Sequence, residues 1–183
     1  MFILASASAS RKKLLKGYRF KVVPSNVREV RRRTLRETVV ANAKLKAQAV
    51  ARRHPHAWVL AADTMVALDG RIYGKPRDRK AAERLWRAMA GRTHVLGTGV
   101  VLQKDDFRIV RYVTSRVTVR RDPPIEALLR RTDPTRYAGG YAIRPKNDPL
   151  VERIDGSVSN VIGLPMEVVG PLLRNLGPTP AAR

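Results

Sequence analysis

Short, mostly apolar runs alternate along the chain with stretches in which apolar residues recur every three or four positions. That alternation predicts a mixed α/β fold. Residues 2–5 read as a strand, Ser6-Ala7-Ser8-Ala9-Ser10 as a polar turn, and residues 11–16 as a short helix stopped at Gly17. A second strand is predicted over 20–24. Thr34-Leu35-Arg36-Glu37 has capping-box spacing and opens a helix to about Arg53, with Val39, Val40, Ala43, Ala47 and Val50 at helical intervals and His54-Pro55 as its end. Residues 58–68 form the next strand, turned by Asp69-Gly70 into 71–73, followed by the loop Gly74-Lys75-Pro76. Asp78 caps a helix to Ala90 with Leu85, Trp86 and Met89 inward, and Gly91 stops it. Long paired strands are predicted over 95–103 and 107–120. Asp122-Pro123-Pro124 starts a helix over 125–131, where proline removes no needed donor. Residues 137–143 and 150–154 read as short strands, and 165–176 as a last helix distorted at Gly170-Pro171.

With 183 residues, 44% of them hydrophobic, the chain suits one domain with a real core, taken here as residues 1–177 followed by a flexible tail over 178–183. No apolar run approaches the ~18 residues of a membrane span. The N-terminal apolar run is too short for a signal-peptide core and its basic residues follow it, so the expected compartment is the cytoplasm. The absence of cysteine excludes disulfides, thiolate nucleophiles and zinc–thiolate sites. Lys+Arg 37 against Asp+Glu 15 gives a formal charge of +22, a field that attracts any polyanion. The cations are scattered, however, and a solvated surface made Arg-rich by genome composition or a hot habitat is the favoured explanation. Aromatics at 5% argue against single-strand stacking platforms, so nucleic acid is expected to bind only non-specifically.

Four places have the composition of a reactive site. Ser6, Ser8, Ser10 and Arg11 lie between a strand and a helix, where small residues admit a phosphate, hydroxyls and amides donate to it, and Arg11 or Lys12 neutralises it. The bland alternative is a serine-rich turn capping a basic helix. Asp63 stands inside Leu60-Ala61-Ala62-Asp63-Thr64-Met65-Val66, where a carboxylate is costly unless satisfied. It either pairs with an arginine, holds Mg²⁺ or takes a proton from water. Lys75 on its stiff turn is an ordinary loop lysine or, beside Asp63, a phosphate clamp. Residues 156–165, rich in glycine and hydroxyls, are either a second anion or base-edge site or a tight connection. No P-loop, Ser-His-Asp triad or histidine metal motif is present.

Taken in order, these segments resemble one family. Leu4-Ala5-Ser6-Ala7-Ser8-Ala9-Ser10-Arg11, Glu29, Ala43-Lys44-Leu45-Lys46-Ala47, Ala62-Asp63-Thr64, Gly74-Lys75-Pro76, Gly91-Arg92-Thr93-His94, Thr98, Ala138-Gly139-Gly140-Tyr141, Ile154-Asp155-Gly156 and Val161-Ile162-Gly163-Leu164-Pro165 look like the Maf nucleotide pyrophosphatases, over residues 3 to about 176. The resemblance implies an elongated, two-lobed α/β domain with a mixed central sheet flanked by helices and a cleft between the lobes, as in the inosine-triphosphate pyrophosphatases. It also implies a homodimer, a divalent cation (Mg, Mn or Co), and hydrolysis of a nucleoside triphosphate to the monophosphate and pyrophosphate. A house-cleaning role and a link to cell-division arrest come with it. By position, Asp63 matches the proton acceptor and Glu29 a second site carboxylate, the pair that would hold metal. Ser6, Ser8 and Arg11 match the phosphate turn, and Lys46 and Lys75 match lysines near the phosphates.

Thr64 matches the pyrimidine-preferring members, as does Tyr141, whereas methylguanosine-preferring ones resemble Asp-Gln here and carry Trp where Ser10 stands. Two positions depart from the pyrimidine pattern: Ser10 replaces a first arginine, and Arg144 replaces a glutamine. Arginine offers donors only, which suit the carbonyls of uracil and thymine but also the O6 of guanine. The expectation is dTTP and UTP as leading substrates with a broadened range. The same reaction on 7-methyl-GTP is the alternative, and a non-catalytic nucleic-acid-binding domain is the rival from another class.

Overall fold

The computed structural model describes residues 1–144 and 147–175, so the expected tail over 178–183 lies outside the described residues. Strands β1 (Phe2–Leu4), β2 (Phe20–Val22), β3 (Val59–Leu68), β4 (Arg71–Tyr73), β5 (Thr93–Lys104), β6 (Phe107–Val119) and β7 (Val151–Gly156) form a mixed seven-stranded sheet. Its order is β2-β1-β3-β5-β6-β7, with β4 added to β3. Helices α1 (Ala9–Leu14), α2 (Leu35–Ala51), α3 (Arg79–Met89), α4 (Ile125–Arg131), α5 (Val158–Ile162) and α6 (Met166–Asn175) cover it. The expected α/β class and single mixed sheet hold.

Local chemistry explains most boundaries. At α2 the capping box closes in both directions, Thr34 accepting from the Glu37 amide and Glu37 from the Thr34 amide. Asp78 accepts from the Ala81 amide at the head of α3, and this hydrogen bond holds its carboxyl below the usual range. One expectation fails. Residues 137–143 do not form a strand, because Gly139 (φ 69°) and Gly140 (φ 85°) take left-handed backbone and fold the segment into a 3₁₀ turn over Ala138–Gly140. That turn is fixed from both sides: the Gly139 amide donates to the Gly74 carbonyl, and Trp86 Nε1 donates to the Gly139 carbonyl, each at 3.0 Å. Inside residues 156–165, expected as either an anion or base-edge site or a tight connection, Ser157 caps the short helix α5 by accepting from the Asn160 amide. That helix then ends at Gly163 in the left-handed region.

The strand β3 runs through all the apolar clusters, and its rows are interrupted at one place. On one face Leu60 and Ala62 pack with Phe2, Leu102 and Leu164, while Val66 and Leu68 pack with Trp86, Leu96 and Tyr141. On the other, Val59 and Ala61 pack with Ala43 and Ala47, while Met65 packs with Leu35 and Val39. Thr64 and Asp63 are the breaks in these two rows. Alternation of side chains along a strand puts them on opposite faces at the same level.

The hydrogen-bonded partners of β3 open at that level too. β1 flanks it at Val59 and Leu60, and β4 flanks it from Val66 to Leu68. Between them, Ala61–Met65 pairs with β5 only, among the described residues. Parallel β1 delivers the serine turn into this gap from one side. Antiparallel β4 delivers the Gly74-Lys75-Pro76 loop from the other.

Candidate active site

Arg11 organises the serine-turn side. It lies in the first turns of α1, and its guanidinium is buried. Its Nε donates to the Gly163 carbonyl at 2.8 Å, Nη1 to Ser6 Oγ at 3.2 Å and Nη2 to Thr64 Oγ1 at 3.1 Å. Five N–H groups are available to a guanidinium, so among the described residues two remain for an anion. Burial lowers its pKa from the ordinary arginine value, and the neighbouring negative charges of Asp63 and Glu29 act in the opposite sense. Ser6 Oγ also accepts from the Ser8 amide, and Ser8 Oγ from the Arg11 amide, which tightens the turn around its own backbone. Thr64 Oγ1 lies 2.9 Å from Thr98 Oγ1, its register partner on β5.

The carboxylate side is built by α2. Asp63 is buried, with one oxygen 2.6 Å from Lys46 Nζ and the other accepting from Asn42 Nδ2 at 3.1 Å. The same Lys46 ammonium reaches Glu29 Oε1 at 2.6 Å. Glu29 belongs to an extended segment held against α2, where the Val30 amide donates to Asn42 Oδ1 at 2.8 Å and the Arg32 amide to Thr38 Oγ1 at 3.0 Å. The Lys46–Asp63 pair is sheltered and so less screened than a surface pair, whereas the Glu29 carboxylate stays about half exposed.

Close approach of α2 to the sheet makes these contacts possible, and a glycine permits it. Gly99 sits opposite Asp63 in the β3–β5 register. A Cβ at that position would lie 2.5 Å from the Val39 carbonyl oxygen and 2.8 Å from the Val40 amide nitrogen. Helix backbone therefore rests directly on strand backbone at the level of the site.

The structure brings Ser6, Ser8, Arg11 and Thr64 into one hydrogen-bonded group and Glu29, Lys46 and Asp63 into another. Lys75 is exposed at the mouth of the gap, where its neighbour Gly74 approaches Met65, and it makes no side-chain hydrogen bond among the described residues. Ser10 is half-buried on α1 without a side-chain partner among the described residues. The side chain of Arg144 is exposed, and its amide donates to Asp148. Tyr141 lies in the core against Trp86 and His94, away from the charged groups.

Sequence reasoning missed Asn42, Gly99 and the Gly163 carbonyl. A signal existed for the first, because Asn42 and Lys46 fall four apart in the buried stripe of α2 (Leu35, Val39, Ala43, Ala47, Val50). Polar residues in the phase of a core stripe mark a place where the helix faces something other than core.

A separate hollow of about 570 Å³ lies between α3 and α4, lined by Arg87, Arg121, Arg130 and Pro123 among others. It shares no residue with the charged groups at Asp63.

Comparison with known proteins places nearly the whole chain in one family. The family model described as Maf-like protein matches residues 1–176. A dTTP/UTP pyrophosphatase of Dictyoglomus thermophilum is 40% identical over 184 residues, covering 96% of this chain and 95% of that protein. Another, of Thermococcus gammatolerans, is 39% identical with 97% of each chain covered. A third, of Myxococcus xanthus, is 40% identical over 97% of this chain and 93% of its own. With a family model and full-length relatives in agreement on a chain whose motifs converge at one gap in its sheet, the chain belongs to the Maf-like protein family.

Proposed function

We propose that the protein hydrolyses nucleoside triphosphates, foremost dTTP and UTP, to the monophosphate and pyrophosphate. The observation that carries this reading is the gap at Ala61–Met65. There a buried carboxylate on β3, a buried guanidinium on α1 with two donors unused among the described residues, and a lysine on α2 shared by two carboxylates lie between the serine turn and the Lys75 loop. The names of the relatives, dTTP/UTP pyrophosphatases along nearly their whole length, support it.

In this mechanism the triphosphate enters between the serine turn and the Lys75 loop. Arg11, Ser6 and Ser8 take the phosphate oxygens, and Lys75 reaches the departing pyrophosphate across the mouth of the gap. Asp63 accepts the proton of the attacking water, since each of its oxygens keeps a lone pair beyond the bond it makes to Asn42 or Lys46. Negative charge grows on the phosphoryl oxygens as the water adds, and cations fixed there before the reaction lower its energy. Lys46 serves both states, holding Glu29 and Asp63 at rest with two of its three N–H donors and offering the third to the phosphates.

Glu29 and Asp63 fit a divalent cation, because their oxygens already converge at 2.6 Å on one positive centre. Two carboxylates completed by water and substrate phosphates suit Mg²⁺, with Mn²⁺ or Co²⁺ as equivalents. Held by Glu29 and Asp63, such an ion would supply charge neutralisation for the phosphates and lower the pKa of a bound water. A homodimeric, cytoplasmic, house-cleaning enzyme belongs to the same reading.

The test is a panel of ribo- and deoxynucleoside triphosphates, with 7-methyl-GTP included, incubated with Mg²⁺ or Mn²⁺ and assayed for pyrophosphate. The expected result is release from dTTP and UTP with the highest kcat/KM and smaller values across other bases. A purine triphosphate leading both pyrimidines would overturn the base assignment made from Thr64. Absence of pyrophosphate from every nucleotide, together with tight, salt-sensitive DNA binding, would overturn the enzyme reading.

A further inference from the structure

From the geometry we infer that Asn42 is a positioning residue that couples the Asp63 carboxylate to the segment carrying Glu29. The inference rests on the reaction proposed above. Asn42 is fully buried on α2, and its amide is used at both ends: Nδ2 donates to Asp63 Oδ2 at 3.1 Å, and Oδ1 accepts from the Val30 amide at 2.8 Å. An amide donates from one atom and accepts at another, so a single short side chain bridges two partners on opposite sides. A leucine in its place would leave both Asp63 Oδ2 and the Val30 amide without that partner.

The consequence is geometric. Val30 follows Glu29, so the bond to Val30 fixes the backbone from which the Glu29 carboxylate reaches Lys46. With Asp63 held by the other end of the same side chain, the two carboxylates are placed relative to each other through one rigid group. Lys46 alone does not do this, because its stem is long and its ammonium directs its three donors freely. Thr38, four residues earlier on α2, adds a second bond to the same segment at Arg32 but does not touch Asp63.

This difference between Asn42 and Thr38 gives a crossed test. Asn42→Asp keeps the volume and the acceptor for Val30 but replaces the donor facing Asp63 with an acceptor. Thr38→Val removes the bond to Arg32 and leaves Asp63 undisturbed. The segment 28–33 contains four arginines, so trypsin reports its attachment directly. Initial cleavage rates at these arginines and kcat with dTTP are to be measured on wild type and both variants, after circular dichroism confirms folding at the assay temperature.

In Asn42→Asp we expect kcat lowered at least thirtyfold with trypsin cleavage within about twofold of wild type. For Thr38→Val the expected pattern is reversed, with faster cleavage and kcat within about threefold. Should Asn42→Asp fail to fold, Asn42→Ser with the same two readouts replaces it, expected to lose both kcat and protection. The inference is overturned if Asn42→Asp keeps kcat within threefold, or if loss of activity simply follows the cleavage rate in both variants. Wild-type protein that releases no pyrophosphate from dTTP points to failure of the reaction itself. Cleavage in Asn42→Ser at the wild-type rate would then still overturn the coupling.

Discussion

Two buried polar groups sit within one strand pair, and they are treated in opposite ways. Around Asp63 and Thr64 the buried polar groups are each answered by a partner: Asp63 by Lys46 and Asn42, Arg11 by three acceptors. At the other end of β5, His94 is 1% exposed, contacts Tyr141 Oη at 2.6 Å through Nε2, and has no partner at Nδ1 among the described residues. Burial pushes the His94 pKa down to about 4, and it pushes the Tyr141 phenol up, with Asp148 adding to that rise. Both groups stay neutral at ordinary pH. The lesson is that burial alone does not make a reactive site. A buried charge survives where a preformed set of partners replaces water, and a buried titratable group without them gives up its charge.

The largest effect expected from breaking this comparison is at Asp63 itself. Asp63→Asn keeps the shape and one hydrogen-bond acceptor but removes the negative charge and the basic oxygen. Lys46 retains Glu29, so the fold persists. We expect kcat to fall at least a hundredfold, about 3 kcal/mol of lost transition-state stabilisation. Steady-state turnover on dTTP, with the melting temperature recorded on the same sample, decides it. Near-normal kcat in a folded variant would remove Asp63 from the mechanism.

Gly99→Ala attacks the same site without touching a charged group. The new methyl meets the Val39 carbonyl and the Val40 amide, neither of which can rotate away, so α2 must lift from β5. Overpacking of this kind costs about 3 kcal/mol. Lys46 and Asn42 move with the helix, so kcat/KM should fall at least tenfold. Gly97→Ala is the control, because its methyl meets the movable ends of Leu35 and Tyr112. Thermal melts and kcat/KM of the two variants should separate clearly; equal behaviour would show that α2 does not depend on the Gly99 contact.

How far such features were legible in the sequence follows from what encodes them. Capping boxes, proline-led helix starts and the Asp69-Gly70 hairpin are local, and their elements match the structure within a few residues. The candidate phosphate turn and Asp63 were visible because serines cluster after a strand and a carboxylate interrupts an apolar run. The 137–143 strand failed because its apolar alternation is overridden by Gly139-Gly140, whose left-handed backbone is fixed by the distant Gly74 and Trp86. Gly99 was invisible for the same reason, since its role exists only against Val39, sixty residues away in sequence. The expectation that Ser10 and Arg144 tune base choice stands on the resemblance, as neither has a side-chain partner among the described residues to define its role.

The smallest effect sharpens the other half of the comparison. A neutral buried histidine makes stability depend on pH in a definite sense. His94 has a folded pKa of about 4 against an ordinary value of 6.5, so between these limits the unfolded chain binds a proton that the folded chain refuses. Stability therefore rises with pH across that window, and acidification from pH 7 toward pH 4 removes it. At pH 5 the loss from this one group is about 2 kcal/mol relative to pH 8. Carboxylates titrate in the same range, so the wild-type curve alone does not isolate it. The difference between wild type and His94→Gln does. Gln cannot titrate, and it can reach Tyr141 Oη with its amide. Urea midpoints measured from pH 8 to pH 4.5 should converge as pH falls, with wild type losing more than the variant. Parallel curves would mean that His94 is protonated in the folded protein, and that the region around Tyr141 and Trp86 supplies a counter-charge after all.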